Sequence, residues 1–180
     1  MKLTIITPCS RPENLQKIKE SINVKCTWII CYDSDKEIKN FDDDWIIEIF
    51  TKGGIAGKKQ VNHALDYVDK DSWVYVLDDD NLLHHKFNID LFSRLSFYYN
   101  GFIFSQELPD GSIRIPSKDN IKVCHVDQAQ YLLHMSLIGE KRFIQQYEAD
   151  GIFIEQIYNE HADKILVTSE VLCYYNKLRQ

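Results

Sequence analysis

What the chain lacks narrows the field first. No apolar run approaches the roughly 18 to 20 residues needed to span a bilayer. The opening "MKLTIITPCSRPENL" carries one lysine and a short apolar run that stops at Pro8, without the cleavage pattern of a secretory signal. A cytoplasmic protein with no transmembrane segment is therefore expected. Basic residues are in deficit, 21 against 27 acidic, for a formal net charge of −6. Nucleic-acid-binding surfaces usually carry a basic excess on one face, so no nucleic-acid partner is expected, although a few local cations can still hold a small anion. The five cysteines (Cys9, Cys26, Cys31, Cys124, Cys173) are odd in number, scattered and without paired metal-ligand spacing. That is the pattern of reduced, mostly buried thiols. Repeats, low-complexity tracts and linkers are missing too, and 180 residues read most economically as one domain.

What is present is an alternation of strand and helix signals. "KLTIIT" at 2–7 is a β-branched run suited to a buried strand. Ser10 and Glu13 then stand in capping-box relation with Pro12 in the first turn, which predicts a helix start, and Leu15, Ile18 and Ile22 mark its apolar face. "CTWIICYDS" (26–34) and "DWIIEIF" (44–50) are further strands. The glycine- and lysine-rich "TKGGIAGKKQ" leads into a helix carrying Val61, Ala64, Leu65 and Val68, and "SWVYVL" is a fourth strand. This order predicts a mostly parallel sheet with helices on both faces. Beyond it come an amphipathic helix in "FNIDLFSRLSFYY", a hairpin turning at "PDGS", and one or two strands in "KVCHVDQAQYLLHMSLI". A short helix in "EKRFIQQ", a longer one in "YEADGIFIEQIYNEHA" and a closing strand in "ILVTSEVLCYYN" complete the chain.

Chemistry concentrates where strands end. In "WVYVLDDDNLLHH" a buried-strand signal delivers Asp78, Asp79 and Asp80 side by side, an arrangement that repulsion between like charges opposes. Water and surface lysines can neutralise the run, and so can a divalent cation such as magnesium or manganese, which takes one or two carboxylates plus substrate phosphates. On an extended chain Asp78 and Asp80 point to one side and Asp79 to the other. Lys52, Lys58 and Lys59 flank a glycine loop at a helix start, where backbone amides favour phosphate; an ordinary basic loop has the same composition. Asp33 ends the second strand, as a base or ribose acceptor or as a turn residue. In such sheets ligands bind beyond the carboxyl ends of the strands, and these groups all lie there. His84 and His85 are expected at the surface, while His125, His134 and His161 are candidates for a further metal or phosphate contact.

Taken in order, "IITPCSRPENL", "WIICYDSD", "GGIAGKKQVNHAL" and "WVYVLDDDN" resemble the GT-A glycosyltransferases, in particular inverting family 2 types, with some features of glucuronyltransferases. The resemblance implies an α/β fold with a Rossmann-like mixed sheet flanked by helices, a nucleotide-sugar-binding half over about residues 1–85 and an acceptor half over about 86–180. It implies nucleotide contacts at Thr7, Pro8 and Arg11, base recognition by Asp33, and phosphate or ribose contacts from Lys58, Lys59, Asn62, Asp78 and Asp79. A DXD motif maps onto the aspartate run, with Asp80, or Asp78, holding Mn2+ or Mg2+.

In the second half, "EAD" resembles the acidic pair that opens a helix and places Asp150 as the catalytic base, with Glu155 one turn on as its rival. "HVDQAQ" resembles an acceptor-facing segment, so Asp127 and Gln130 are acceptor candidates. The family's arginine before Asn62 is replaced by Val61, which leaves the phosphate charge to Lys58 or Lys59. The implied partners are a nucleotide-diphosphate sugar and a glycan or other hydroxyl acceptor, with a homo-oligomer or partner domain completing a short acceptor side. The implied reaction is a metal-dependent inverting sugar transfer. Its rivals are a non-catalytic nucleotide-sugar or protein-binding module and a nucleotidyltransferase, although the loop "TPCSRPEN" contains no glycine.

Overall fold

Burial with a period of two organises the sheet. In β1 (Lys2–Cys9), Leu3 and Ile5 enter one apolar layer and Ile6 the other, because successive side chains of an extended chain point to opposite faces. The split recurs in β2 (Thr27–Tyr32), where Trp28, Ile30 and Tyr32 oppose Ile29 and Cys31. It recurs again in β4 (Ser72–Val76), where Trp73 and Tyr75 oppose Val74 and Val76. Both faces are covered, so these strands read as continuous apolar runs. The computed structural model describes residues 1–179.

With β3 (Ile46–Phe50), these strands run parallel in the order β3-β2-β1-β4. The sheet continues through β8 (Tyr131–His134), antiparallel to β4, then β6 (Gly101–Glu107), β9 (Ile165–Tyr174) and the short β5 (Leu82–Leu83). β7 (Ile113–Arg114) pairs with β6 alone. Helices α1 (Leu15–Ser21) and α3 (Ile89–Leu95) insert Leu15, Ile18 and Phe92 into one layer. Helices α2 (Lys58–Leu65), α4 (Met135–Ile138) and α5 (Ala149–His161) fill the other with residues such as Val61, Leu137 and Ile154. The architecture is the expected mixed α/β sheet flanked by helices. No helix among the described residues is long and apolar enough to cross a membrane.

The topology positions the site. From β1 the chain moves outward to β2 and β3, then returns to β4 on the other side of β1. Connections leave β1 and β4 in opposite directions, which opens a crevice at their carboxyl ends. Three local expectations are corrected. Ser10 caps no helix, because its hydroxyl is spent on Asp79; the chain instead enters α1 through a 3-10 turn at Pro12–Asn14. "EKRFIQQ" is not helical, and the helix of that region is α4, directly after β8. His84 is buried, packed at a tilt between His85 and Tyr174, with ring centroids 4.2 and 4.4 Å away.

Candidate functional site

A cleft of about 460 Å3 opens at the carboxyl ends of β1, β2 and β4, within the roughly 300–1,000 Å3 typical of small-molecule sites. One wall is the turn after β1, from Pro8 to Arg11, with Asp33 beside it. The glycine loop with Lys58 forms a second wall. Asp127, Gln128, Tyr147 and Asp150 close the far side, and Tyr175, Asn176 and Arg179, beyond β9, rim the opening. The aspartate run forms the floor.

The three aspartates have different fates. Leu77 still donates to Ile6 in the ladder, 2.9 Å, but Asn81 then donates to the Asp78 carbonyl, 3.1 Å, and the chain turns. Strand alternation therefore ends before the run, and the expected pairing of Asp78 with Asp80 is corrected: Asp79 and Asp80 share Arg11. Asp79 accepts from the backbone amides of Ser10 (2.6 Å) and Arg11 (2.8 Å), from the Ser10 hydroxyl (3.0 Å), and from Arg11 Nε (2.9 Å) and Nη2 (2.5 Å). Asp80 has one side-chain partner among these groups, Arg11 Nη2 at 3.0 Å. Burial raises its pKa, with Arg11 opposing. Asp78 points inward to accept from the Gln128 amide. Asn81 Oδ1 accepts from the backbone of Asn176 at 2.7 Å, and Leu178 donates to the Asp80 carbonyl at 2.9 Å, which ties the segment after β9 to the floor.

Across the cleft, Lys58 is buried and paired with Asp150, at the start of α5. Its ammonium also donates to Gln128 Oε1 at 2.8 Å and sits 5.5 Å from the Phe143 ring centroid. Two glycines permit this convergence. Gly57 has φ +74°, and a Cβ there would lie 2.8 Å from Pro8 Cβ; a Cβ on Gly151 would meet Val123 Cα at 2.6 Å. Asp127 caps the turn at Gln128–Gln130, accepting from Ala129 (2.9 Å) and the Gln106 amide (3.1 Å). Burial, and after it the neighbouring charges, raise the pKa of both buried acids: Asp127 for Asp78, Asp150 for Asp127. Six aspartates (33, 78, 79, 80, 127, 150) thus line a cleft whose cations are Arg11, Lys58 and Arg179.

The cleft gathers Pro8, Arg11, Asp33, Lys58, Asp78, Asp79, Asp80, Asp127 and Asp150. Five expected site residues stand elsewhere, each on a structural partner. Thr7 accepts from the Trp28 indole at 2.9 Å inside the core. Lys59 turns outward to the Lys52 carbonyl, 2.6 Å. Asn62 brackets the Phe143 backbone, donating at 2.7 Å and accepting at 2.9 Å. Gln130 completes the capping box with Asp127 and donates to the Phe104 carbonyl at 3.1 Å. Glu155 accepts from Val123 at 3.1 Å, a turn away from the cleft. His125, His134 and His161 do not line it either. Ser10, Gln128, Tyr147 and the residues after β9 escaped sequence reasoning. Only Ser10, in "CSRPEN", carried a signal, read there as a helix cap.

Among the described residues no three His, Cys, Asp or Glu side chains are gathered into a metal cage. The donor set fits a cation that completes its shell with ligand oxygens. Asp79 has no capacity left, Asp78 is engaged by Gln128, and Asp80 keeps carboxylate capacity next to uncompensated negative charge.

The fold matches that of nucleotide-diphospho-sugar transferases. S. aureus TarS (residues 1–349), a glycosyltransferase, superposes with a TM-score of 0.72 over 97% of this chain at 13% identity. The chain spans 60% of that protein's length. Francisella tularensis 2-C-methyl-D-erythritol 4-phosphate cytidylyltransferase superposes with a TM-score of 0.50 over 98% of this chain and 92% of its own, at 15% identity. No protein-family model matches the chain, and no curated protein matches it.

Proposed function

We propose that the protein is an inverting glycosyltransferase that moves a sugar from a nucleotide-diphosphate sugar to an acceptor hydroxyl. One observation carries the reading: a strand-end acidic floor and a separate carboxylate, Asp150, meet in a single cleft at the topological switch point. Asp33, at the end of β2, receives the base side of the donor. Arg179 rims the cleft on the Asp80 side and is not spent on Asp79 as Arg11 is, so the diphosphate belongs at that end. Asp80 would hold Mn2+ or Mg2+ there, and the ion, when bound, supplies Lewis-acid charge to the leaving diphosphate. Asp150 takes the proton of the acceptor hydroxyl as it attacks the anomeric carbon from the face opposite the leaving group, and that single displacement inverts the configuration. Asp127, at the acceptor end, orients the acceptor through its carboxylate.

The cytidylyltransferase likeness raises nucleotidyl transfer as the alternative. Against it, the loop after β1 contains no glycine, and Arg11 is already committed to Asp79 and Asp80, which leaves no open triphosphate cradle. A thermal-shift screen of nucleotide-diphosphate sugars with and without manganese identifies the donor, because stabilisation follows affinity. With that donor, Asp150→Asn should lower turnover by a factor of about 10²–10⁴ while donor binding survives. Near-normal turnover in this variant would remove Asp150 as base. Pyrophosphate release from a nucleoside triphosphate and a sugar phosphate would favour the alternative.

A further inference from the structure

We infer that Lys58 is a positioning residue for Asp150 and not a ligand of the donor diphosphate. The inference rests on the reading of Asp150 as base. A lysine is seldom fully buried unless paired, and Lys58 is 2% exposed. An ammonium has three N–H donors and no acceptor. One meets the Asp150 carboxylate, one the Gln128 carbonyl oxygen, and the remaining side of the charge faces the Phe143 ring. Two donors are thus committed, and burial leaves at most the third to reach a phosphate.

Gln128 extends the arrangement. Its oxygen is turned to Lys58, so its NH2 is turned to Asp78. The amide therefore links the Asp78 carboxylate to the ammonium that holds Asp150. Among the described residues the lysine is the one charged partner of the Asp150 carboxylate, which lies near the like charges of Asp78 and Asp127. Asn62, one helical turn along α2, holds the Phe143 backbone and so the ring under the ammonium.

The test compares Lys58→Met, Asp150→Asn and the double variant in the full chain, using the donor identified by the manganese screen. Expected for Lys58→Met is a fall in kcat of about 10–100-fold, the cost of a misplaced reacting group. The donor KM and the affinity for the manganese nucleoside diphosphate should stay within about threefold. Added to Asp150→Asn, the substitution should cost little further turnover, because residues acting as a unit are not additive. The double variant should also melt above Lys58→Met alone, since it removes the carboxylate that Lys58→Met leaves without its cation. A tenfold or greater loss of diphosphate affinity with kcat preserved overturns the inference while the transferase reading stands. A full additional loss in the Asp150→Asn background does the same. Absence of transfer from every donor in the wild type overturns the transferase reading, and with it this role.

Discussion

The two flanks of the cleft use the same side chain to opposite ends. On the β1 flank, Asp79 is saturated: two backbone amides, a hydroxyl and a guanidinium converge on its two oxygens. On the α2–α5 flank, Asp78, Asp127 and Asp150 gather around one lysine, and burial holds two of them above the ordinary carboxylate range. The first arrangement stabilises a turn; the second leaves negative charge under-neutralised. Adjacency in sequence decided neither, since Asp78 and Asp79 are neighbours. The turn at 78–81 separates them, sending one carboxylate to the β1 loop and the other across the cleft.

Breaking the saturated flank should give the largest change in stability. Asp79→Asn replaces an anion with an amide whose NH2 faces the Ser10 and Arg11 donors. Losing hydrogen bonds to a charged group at a site this buried costs about 2–3 kcal/mol. For a domain of this size that is a fall in Tm of roughly 4–12 °C. Calorimetry on the apo protein reads it directly. A change below 2 °C would mean that Asp79 anchors nothing.

The under-neutralised flank predicts the opposite sign. An acid whose folded pKa is raised binds more protons folded than unfolded across the interval above its unfolded value, so stability falls as pH rises through that interval. Asp127→Asn keeps an oxygen for Ala129 and Gln106 and removes the ionisation. It should raise Tm at pH 8 by about 2–4 °C, the equivalent of roughly 1 kcal/mol. The gain should shrink toward pH 4, where the wild-type acid is protonated as well. A variant less stable at both pH values would show that the charge is satisfied after all.

The same contrast explains what the sequence revealed. Strands β1, β2 and β4 were legible because their burial on both faces leaves unbroken β-branched runs, and the acidic floor was legible because it follows one of them. Asp33, Arg11 and Asp150 were placed through the family resemblance. Thr7, Asn62, Gln130 and Glu155 stand away from the cleft for one shared reason: each is polar and near a motif, but its partner is backbone or a core indole that no local pattern announces. The segment after β9 was invisible for the converse reason. Asn176 and Leu178 reach the floor through Asn81 Oδ1 and the Asp80 carbonyl, contacts between chain segments almost a hundred positions apart.

Lys58 and Lys59 repeat the comparison in the smallest space. Both follow Gly57, yet the first turns into the cleft wall and the second out to the Lys52 carbonyl. An exposed ammonium on a backbone carbonyl contributes little, and surface substitutions of this kind usually fall within about 0.5 kcal/mol. Lys59→Ala should therefore shift Tm by no more than roughly 2 °C and leave nucleoside diphosphate affinity, measured with manganese by calorimetric titration, within about twofold. Its salt dependence should also match the wild type, since a charge outside the cleft adds only a screened, long-range attraction. A loss of fivefold or more would place the outer lysine against the phosphates, and the division between inward and outward lysines would then fail at its plainest point.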